Sequence, residues 1–390
     1  MCNSMIQQYF VARFLVIGAF MLVLNQSSYA HRAINSDMDV ATYSNKVTKS
    51  EASYRLSQLN SVIEITVTDE VQERIQQYTY AYRSSAEKLL GRSNVYFPMF
   101  EQEIMRRGMP DDLKYLAIIE SMLNPNATSK SGAAGLWQFM KGTGKMVGLE
   151  VNSVVDQRRS VELSTQGALD YLQSLHDRFG DWNLAISAYN CGPGNVAKAI
   201  RKSGSKDYWK LRKYLPKETQ KYLPRFIAAM YLTNFYENHG LTPNDVDTDL
   251  TNILTVSVNQ SIKFTKLAKE LGLENDKILR QLNPEYLSGY VPGKSQYTIR
   301  IPSRTSDKYF KIYEPGRYSK IMEERAELQR MRILELKKQK EAELLSMKRD
   351  SVTTLQSIVS LILSPLQSQE TAKKYRIPTR MRSRLSYLRV

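Results

Sequence analysis

Residues 110–120 read Pro110-Asp111-Asp112-Leu113-Lys114-Tyr115-Leu116-Ala117-Ile118-Ile119-Glu120. Proline and two aspartates suit the first turn of a helix, where proline fits the backbone and acids complement the dipole. Leu113, Leu116 and Ala117 then form one apolar stripe, and the next position on that stripe is Glu120. A carboxylate there is either the partner of a core Arg or Lys, or an acid lying under a cleft. In the second case desolvation disfavours the charged form and raises the pKa, as a general acid at neutral pH requires. The helix alone leaves both readings open.

The helical period extends outward from this stretch, over about residues 69–240. Ala168, Leu172, Leu175 and Phe179 recur at helix spacing and mark one buried face. Gly108-Met109-Pro110, Gly132, Gly142, Gly144, Gly192-Pro193-Gly194 and Pro216 punctuate the region. Few runs alternate with period two, so these residues predict an all-α or nearly all-α domain of about 170 residues, large enough for its own core.

Residues 253–302 carry a different pattern. Val256 and Val258 alternate as in a strand, helices are expected from Ile262 to Leu271 and from Asp276 to Leu282, and Asn283-Pro284 ends the second. Tyr297, Ile299 and Ile301 supply a closing strand, giving a βααβ unit. The predicted fold class is therefore mainly α: a helical domain, a small βααβ module, and a charged helical or disordered tail over 303–390.

The chain of 390 residues has 55 Lys and Arg against 39 Asp and Glu, a formal net charge of +16. That excess suits a polyanionic partner: nucleic acid, an acidic membrane surface or an anionic wall polymer. Residues 1–30 narrow the choice. Arg13 precedes an apolar run from Phe14 to Leu24, and Ser28-Tyr29-Ala30 ends the segment. This is the pattern of a secretory signal peptide, and the run falls short of the roughly 20 residues a membrane span needs. Export argues against nucleic acid as the working partner. Residues 31–68, rich in Ser, Thr and Asn, read as a flexible lead-in. With Cys2 removed by cleavage, Cys191 stands alone, and three histidines give no basis for a His-rich metal centre.

Around Glu120 the sequence continues with Ser121, Asn124-Pro125, Ser129, Gly132-Ala133 and Gly135-Leu136-Trp137-Gln138-Phe139-Met140. Small residues let the backbone approach a ligand, and Gln138 offers a donor and an acceptor for a sugar amide. Ala188-Tyr189-Asn190-Cys191-Gly192 and Glu218-Thr219-Gln220-Lys221-Tyr222 follow. The order Glu-Ser, Asn-Pro, Gly-Ala-x-Gly-Leu-x-Gln, Ala-Tyr-Asn-x-Gly and Glu-Thr-x-x-Tyr resembles the lytic transglycosylase domain related to goose-type lysozyme. With the lead-in Gly108-Met109-Pro110-Asp111-Asp112-Leu113, it is most similar to the membrane-bound lytic murein transglycosylase D branch.

The resemblance implies a lysozyme-like helical fold over 69–240 and peptidoglycan glycan strands as substrate. Glu120 matches the single catalytic acid/base. Ser129, Gln138 and Met140 match positions lining the cleft, Tyr189 and Asn190 the Ala-Tyr-Asn element, Glu218 a cleft carboxylate, and Tyr222 the hydroxyl expected near Glu120. Trp137 and Cys191 depart from the commoner residues, and Trp137 is expected in the core. The implied reaction cleaves the β-1,4 bond between N-acetylmuramic acid and N-acetylglucosamine and closes a 1,6-anhydro ring. Its nucleophile, the C6 hydroxyl, is part of the substrate, so no cofactor, metal or second carboxylate is implied. Ordinary glycosidases use two carboxylates, so a water-using muramidase employing Glu218 is the rival enzyme, and a non-catalytic peptidoglycan-binding scaffold the rival of another class.

Residues 253–302 resemble a LysM module, which binds N-acetylglucosamine-containing chains. The resemblance is carried by Leu267-Ala268, Leu282-Asn283-Pro284, Val291-Pro292-Gly293 and Ile299-Arg300-Ile301-Pro302, while Asn259-Gln260-Ser261 departs from the usual opening. The tail holds 20 Lys and Arg against 10 Asp and Glu, and residues 371–390 carry seven basic and no acidic residues. Next to the apolar stretch Ile358 to Leu363, these basic residues suggest peripheral membrane contact or a solvated extension.

Overall fold

The computed structural model describes residues 46–293 and 297–363. The expected signal peptide and the basic residues 371–390 lie outside these. The fold is mainly α, as predicted, and divides into two compact units.

The first unit comprises the described residues up to 266 together with 275–301. It opens with α1, Lys49–Ser57, whose N-terminus is capped by the Thr48 hydroxyl accepting from the Glu51 N–H at 3.2 Å. Ala52 and Leu56 of this helix are fully buried. The flexible lead-in expected over 31–68 is thus ordered helix in part of its described stretch. Two apolar residues four apart are too short a pattern to register as a period.

Helix α2, Asp69–Gln76, runs through a π-type turn into the long α3, Arg83–Arg107, which stops at Gly108 with φ 64°. A 3₁₀ turn, Asp111–Tyr115, leads into α4, Leu116–Ser121, so the stretch read as one helix begins more tightly wound. After α5, Lys141–Met146, comes α6, Val161–Phe179, with Ser160 as N-cap and Gly180 at φ 71° as its end. Ala168, Leu172, Leu175 and Phe179 are buried, as their spacing predicts. Then follow α7, Trp182–Cys191, α8, Pro193–Ser203, and the single turns α9, Tyr208–Leu211, and α10, Lys217–Gln220.

The core gathers round α11, Tyr222–Phe235. From Tyr222 to Leu232 every residue of this helix except Arg225 is buried. A helix apolar on all sides must lie inside, and α1, α2, α4 and α7 pack against it.

Within the remainder of this unit, α12, Thr248–Thr251, precedes β1, Ile253–Val258, which pairs with β4, Tyr297–Pro302. A second, two-residue ladder joins β2, Ile262–Lys263, antiparallel to β3, Tyr290–Val291. Helix α13, Phe264–Leu271, and helix α14, Lys277–Leu282, lie between them in sequence. The predicted βααβ unit is thus ββααββ, since two-residue strands leave no alternation to read. Residues 283–301 do not form a separate module. The Asp156 N–H donates to the Glu285 carbonyl at 2.9 Å and the Leu287 N–H to the Val154 carbonyl at 3.1 Å, bonding this segment to the helical body.

The second unit comprises residues 267–274 and the described residues from 302 onward. Its small core sets Leu267, Ala268 and Leu271 with Tyr309 and Phe310 of α15, Ser306–Tyr313. The Lys308 ammonium caps the Leu271 carbonyl at 3.1 Å, and Tyr313 donates to Glu270. Helix α16, Pro315–Leu363, follows, and from Met322 to Leu361 every side chain is exposed. Among the described residues no helix is long and apolar enough to cross a membrane.

Candidate active site

Helix α4 ends one residue after Glu120, and the manner of its ending shapes the site. Met122 and Leu123 both adopt the left-handed conformation, with φ 54° and 55°. Their N–H groups turn back to the carbonyls of Ile118 and Ala117, at 2.8 and 3.3 Å. Such conformations are strained for residues carrying a Cβ and cluster at functional sites. The Ser121 hydroxyl donates to the Leu136 carbonyl at 2.8 Å, holding the end of α4 against the next loop.

Glu120 sits above the buried face made by Leu116 and Ala117, with part of its surface open to solvent. Tyr222, the first residue of α11, donates its hydroxyl to Glu120 Oε1. Burial pushes the Glu120 carboxyl from 4.5 up to about 7. The Tyr222 hydrogen bond and the Arg225 cation pull downward, and the charge of Glu218 pushes upward. Tyr222 and Tyr189 are both held well above the ordinary phenol range, by burial first and by the neighbouring Glu120 second. Both phenols therefore remain protonated donors when Glu120 ionises. The Tyr189 hydroxyl donates to the Trp137 carbonyl at 2.8 Å, and its ring packs against Phe139 and Tyr171, tilted by 51° to each.

Helices α4, α7, α10 and α11 thus converge here. Glu120, Tyr189 and Tyr222 form one group, with Glu218 near enough to act on Glu120 through charge. Asn190 belongs to its rim: its side-chain oxygen accepts from the Thr219 hydroxyl at 2.7 Å. Thr219, buried between Glu218 and Gln220, was not singled out in the sequence, although its place in Glu-Thr-x-x-Tyr was a signal. Tyr171 and Arg225 were also missed; their neighbours in space are remote in sequence.

The remaining sequence candidates lie on the loop between α4 and α5. Gln138, at φ 49°, turns its amide nitrogen inward to the Gly135 carbonyl at 2.9 Å, so it braces the loop while remaining partly exposed. Ser129 is exposed and its hydroxyl oxygen accepts from the Ala133 N–H at 3.0 Å, closing a turn. Met140 is 46% exposed, a large apolar side chain presented to solvent. Neither Ser129 nor Met140 shares a hydrogen bond with the Glu120 group among the described residues. Trp137 is fully buried, with its indole N–H on Thr165 Oγ1 at 2.9 Å, in agreement with a core role. Cys191 is a free, half-buried thiol whose pKa is raised by burial.

A carboxyl poised near neutrality can give a proton to an oxygen in the cleft and take one back within the same cycle. Among the described residues, no three His, Cys, Asp or Glu side chains gather as a metal site would need.

Residues 97–212 match the family described as Transglycosylase SLT domain, and residues 252–314 the family described as Lytic transglycosylase MltD, LysM-like domain. The second match runs past the expected boundary at 302 and takes in α15. Membrane-bound lytic murein transglycosylase D of Escherichia coli strain K12 is 30% identical over 249 residues, 63% of this chain and 54% of that protein. Membrane-bound lytic murein transglycosylase F of Pseudomonas syringae pv. syringae is 28% identical over 207 residues, 47% of this chain and 36% of that one. The 70 kDa soluble lytic transglycosylase of Escherichia coli aligns at 23% identity and a TM-score of 0.33, over 50% of this chain and 34% of that structure. The chain spans about half the length of the transglycosylase D relative it matches. Residues 97–212 accordingly belong to the transglycosylase SLT domain family and residues 252–314 to the LysM-like domain family of lytic transglycosylase MltD, in a chain homologous to membrane-bound lytic murein transglycosylase D.

Proposed function

We propose that this protein is a peptidoglycan lytic transglycosylase, cleaving the β-1,4 bond between N-acetylmuramic acid and N-acetylglucosamine. The observation that carries the reading is Glu120, partly open to solvent above Leu116 and Ala117, hydrogen-bonded by Tyr222 and raised by burial to about 7. Protonated Glu120 gives its proton to the glycosidic oxygen as the bond from C1 of the muramic acid breaks. The resulting Glu120 carboxylate then takes the proton of that sugar's C6 hydroxyl, whose oxygen bonds to C1 and closes the 1,6-anhydro ring. Atoms balance with one acid and no water. A tethered hydroxyl also gains the effective-molarity advantage of an intramolecular nucleophile.

In this reading Tyr222 holds the proton of Glu120 in line, and Tyr189 and Asn190 contact the sugar beside the cleaved bond. Ser129, Gln138, Met140 and Glu218 line the cleft. The LysM-like domain binds glycan, residues 1–30 direct export to the periplasm or cell envelope, and the basic end of the tail rests on an anionic membrane face.

The test is digestion of purified sacculi with identification of the released ends. Anhydromuramic ends support the transglycosylase. Reducing ends, lost in Glu218→Gln, would instead establish a water-using muramidase. The tail is tested by sedimentation with anionic vesicles, comparing the full chain with one ending at residue 303. A surface contact weakens with salt, since screening shortens from about 10 Å at 0.1 M to about 3 Å at 1 M. Equal partitioning of both chains at low salt would remove the membrane role.

A further inference from the structure

The loop of residues 150–159 has two faces, and both are occupied. On one face the Asp156 carboxylate grips the Arg158 guanidinium, receiving Nε at 2.9 Å and Nη2 at 2.8 Å. The free end of that guanidinium, Nη1, donates to the Gly132 carbonyl at 2.8 Å and to the Phe139 carbonyl at 3.0 Å. These carbonyls stand at the two ends of the segment holding Gly135, Trp137 and Gln138. Arg159 adds a bond to Thr128 Oγ1 at 2.7 Å, just outside the same segment. Gly135 lies so close beneath Arg158 that a Cβ there would come within 1.7 Å of its carbonyl oxygen. This cleft loop is therefore shaped by Arg158, and Arg158 by Asp156.

On the other face, Asp156 and Val154 are bonded to residues 285–287 through their backbones, and Val155 and Tyr286 form an antiparallel bridge. That contact is fixed by a buried charge cluster. Arg300, its side chain 5% exposed, pairs with Glu285 and reaches Glu162 in the first turn of α6 at 2.6 Å. The Tyr297 hydroxyl bonds Glu150, at the start of the loop, at 2.9 Å. Asn283 locks β4 in place, donating to the Arg300 carbonyl at 2.8 Å and accepting its N–H at 2.7 Å. A buried ion pair adds little net stability, yet it tolerates only one arrangement, because displacement leaves an unpaired charge in the interior. Charges sunk this deep are also withdrawn from any glycan surface.

From this geometry we infer that Glu285 and Arg300 are positioning residues for the cleft: the LysM-like segment props the 150–159 loop, which through Asp156 and Arg158 sets the Gly132–Phe139 loop beside Glu120. The segment's contribution to turnover is then partly mechanical, separate from any glycan it holds. The kinetic half of this inference rests on the transglycosylase reading; the structural half does not.

The test compares the full chain with the double variant Glu285→Gln/Arg300→Met, which removes both buried charges together, and with Arg300→Lys, which keeps the cation. Hydrogen exchange is followed at residues 127–139 and, as an internal control, along α11. Exchange in the cleft loop quickens in the double variant while α11 is unchanged, and Arg300→Lys restores most of the protection. On sacculi the double variant loses about tenfold in kcat/KM through KM, because loop misplacement weakens positioning, and its pH profile stays in place. Unchanged exchange in the cleft loop of a folded double variant overturns the inference. If the double variant loosens throughout, the milder Glu285→Gln alone must show the confined change, and its absence overturns the inference equally. Should Glu120→Gln retain turnover, the catalytic reading fails while the exchange result still stands on its own.

Discussion

Tyr222 donates its hydroxyl to the carboxyl of Glu120 from 102 residues further along the chain. The bond favours the ionised carboxylate and so works against the burial that raises Glu120. Removing it has a definite sign. Tyr222→Phe moves the alkaline limb of kcat/KM above the wild-type position near pH 7, while kcat falls by about tenfold for loss of an oriented proton. A limb that moves downward or stays fixed, measured by turnover of sacculi across pH, would show that Tyr222 does not govern this proton.

Glu120→Gln preserves shape and cannot deliver a proton. Turnover falls by about 10²- to 10⁴-fold, the usual worth of a general acid. The same variant has a thermodynamic signature. The fold prefers the protonated Glu120, so the wild type is favoured fully below about 4.5 and loses that contribution as pH rises through about 7. The glutamine has nothing to lose. Glu120→Gln is thus more stable than wild type at pH 8 by about 2 to 3 kcal/mol, with the gap closing toward pH 4. Denaturant midpoints at the two pH values check this.

His239 gives the opposite slope. Its ring nitrogen is 2.9 Å from the Tyr231 hydroxyl, and burial, with Arg55 and Arg83 nearby, depresses its pKa from 6.5 to about 4. Its contribution is complete above pH 6.5 and is lost as pH falls through about 4. The loss amounts to about 1 to 2 kcal/mol, discounted for a ring that is partly solvated. His239→Gln should flatten the stability profile between these values; an unchanged slope in urea titrations would assign it to other groups.

Gly135→Ala meets two obstacles at once. Its φ is 85°, and the new Cβ would fall on the Arg158 carbonyl. The expected cost is at least about 3 kcal/mol, from strain plus displacement of a backbone that has no freedom to yield. Thermal denaturation should show it, with activity lost even in the folded fraction.

The parts of this protein that follow one local period could be read in advance. The buried stripe of α6 and the place of the carboxylate beyond Leu113 and Leu116 are examples. What escaped depends on groups brought together by folding. Thr219 matters because it reaches Asn190, and Arg158 because it reaches Gly132 and Phe139. Neither contact leaves a trace within one helical turn of sequence. The strands Ile262–Lys263 and Tyr290–Val291 were invisible for a different reason: two residues cannot alternate. Ser129 was matched as a cleft residue, and its hydroxyl closes a local turn.

Leu123 carries two demands that few side chains meet together. Its backbone is left-handed, which a glycine would accept freely and a leucine tolerates at about 1 kcal/mol. Its side chain is completely enclosed, and emptying such a site costs about 2 to 5 kcal/mol. Glycine would relax the chain and open a void; a β-branched residue would fill the void and worsen the backbone. The position therefore accepts few substitutions, for a reason unrelated to that at Glu120, so sensitivity to substitution around this site does not by itself identify the groups that perform the reaction.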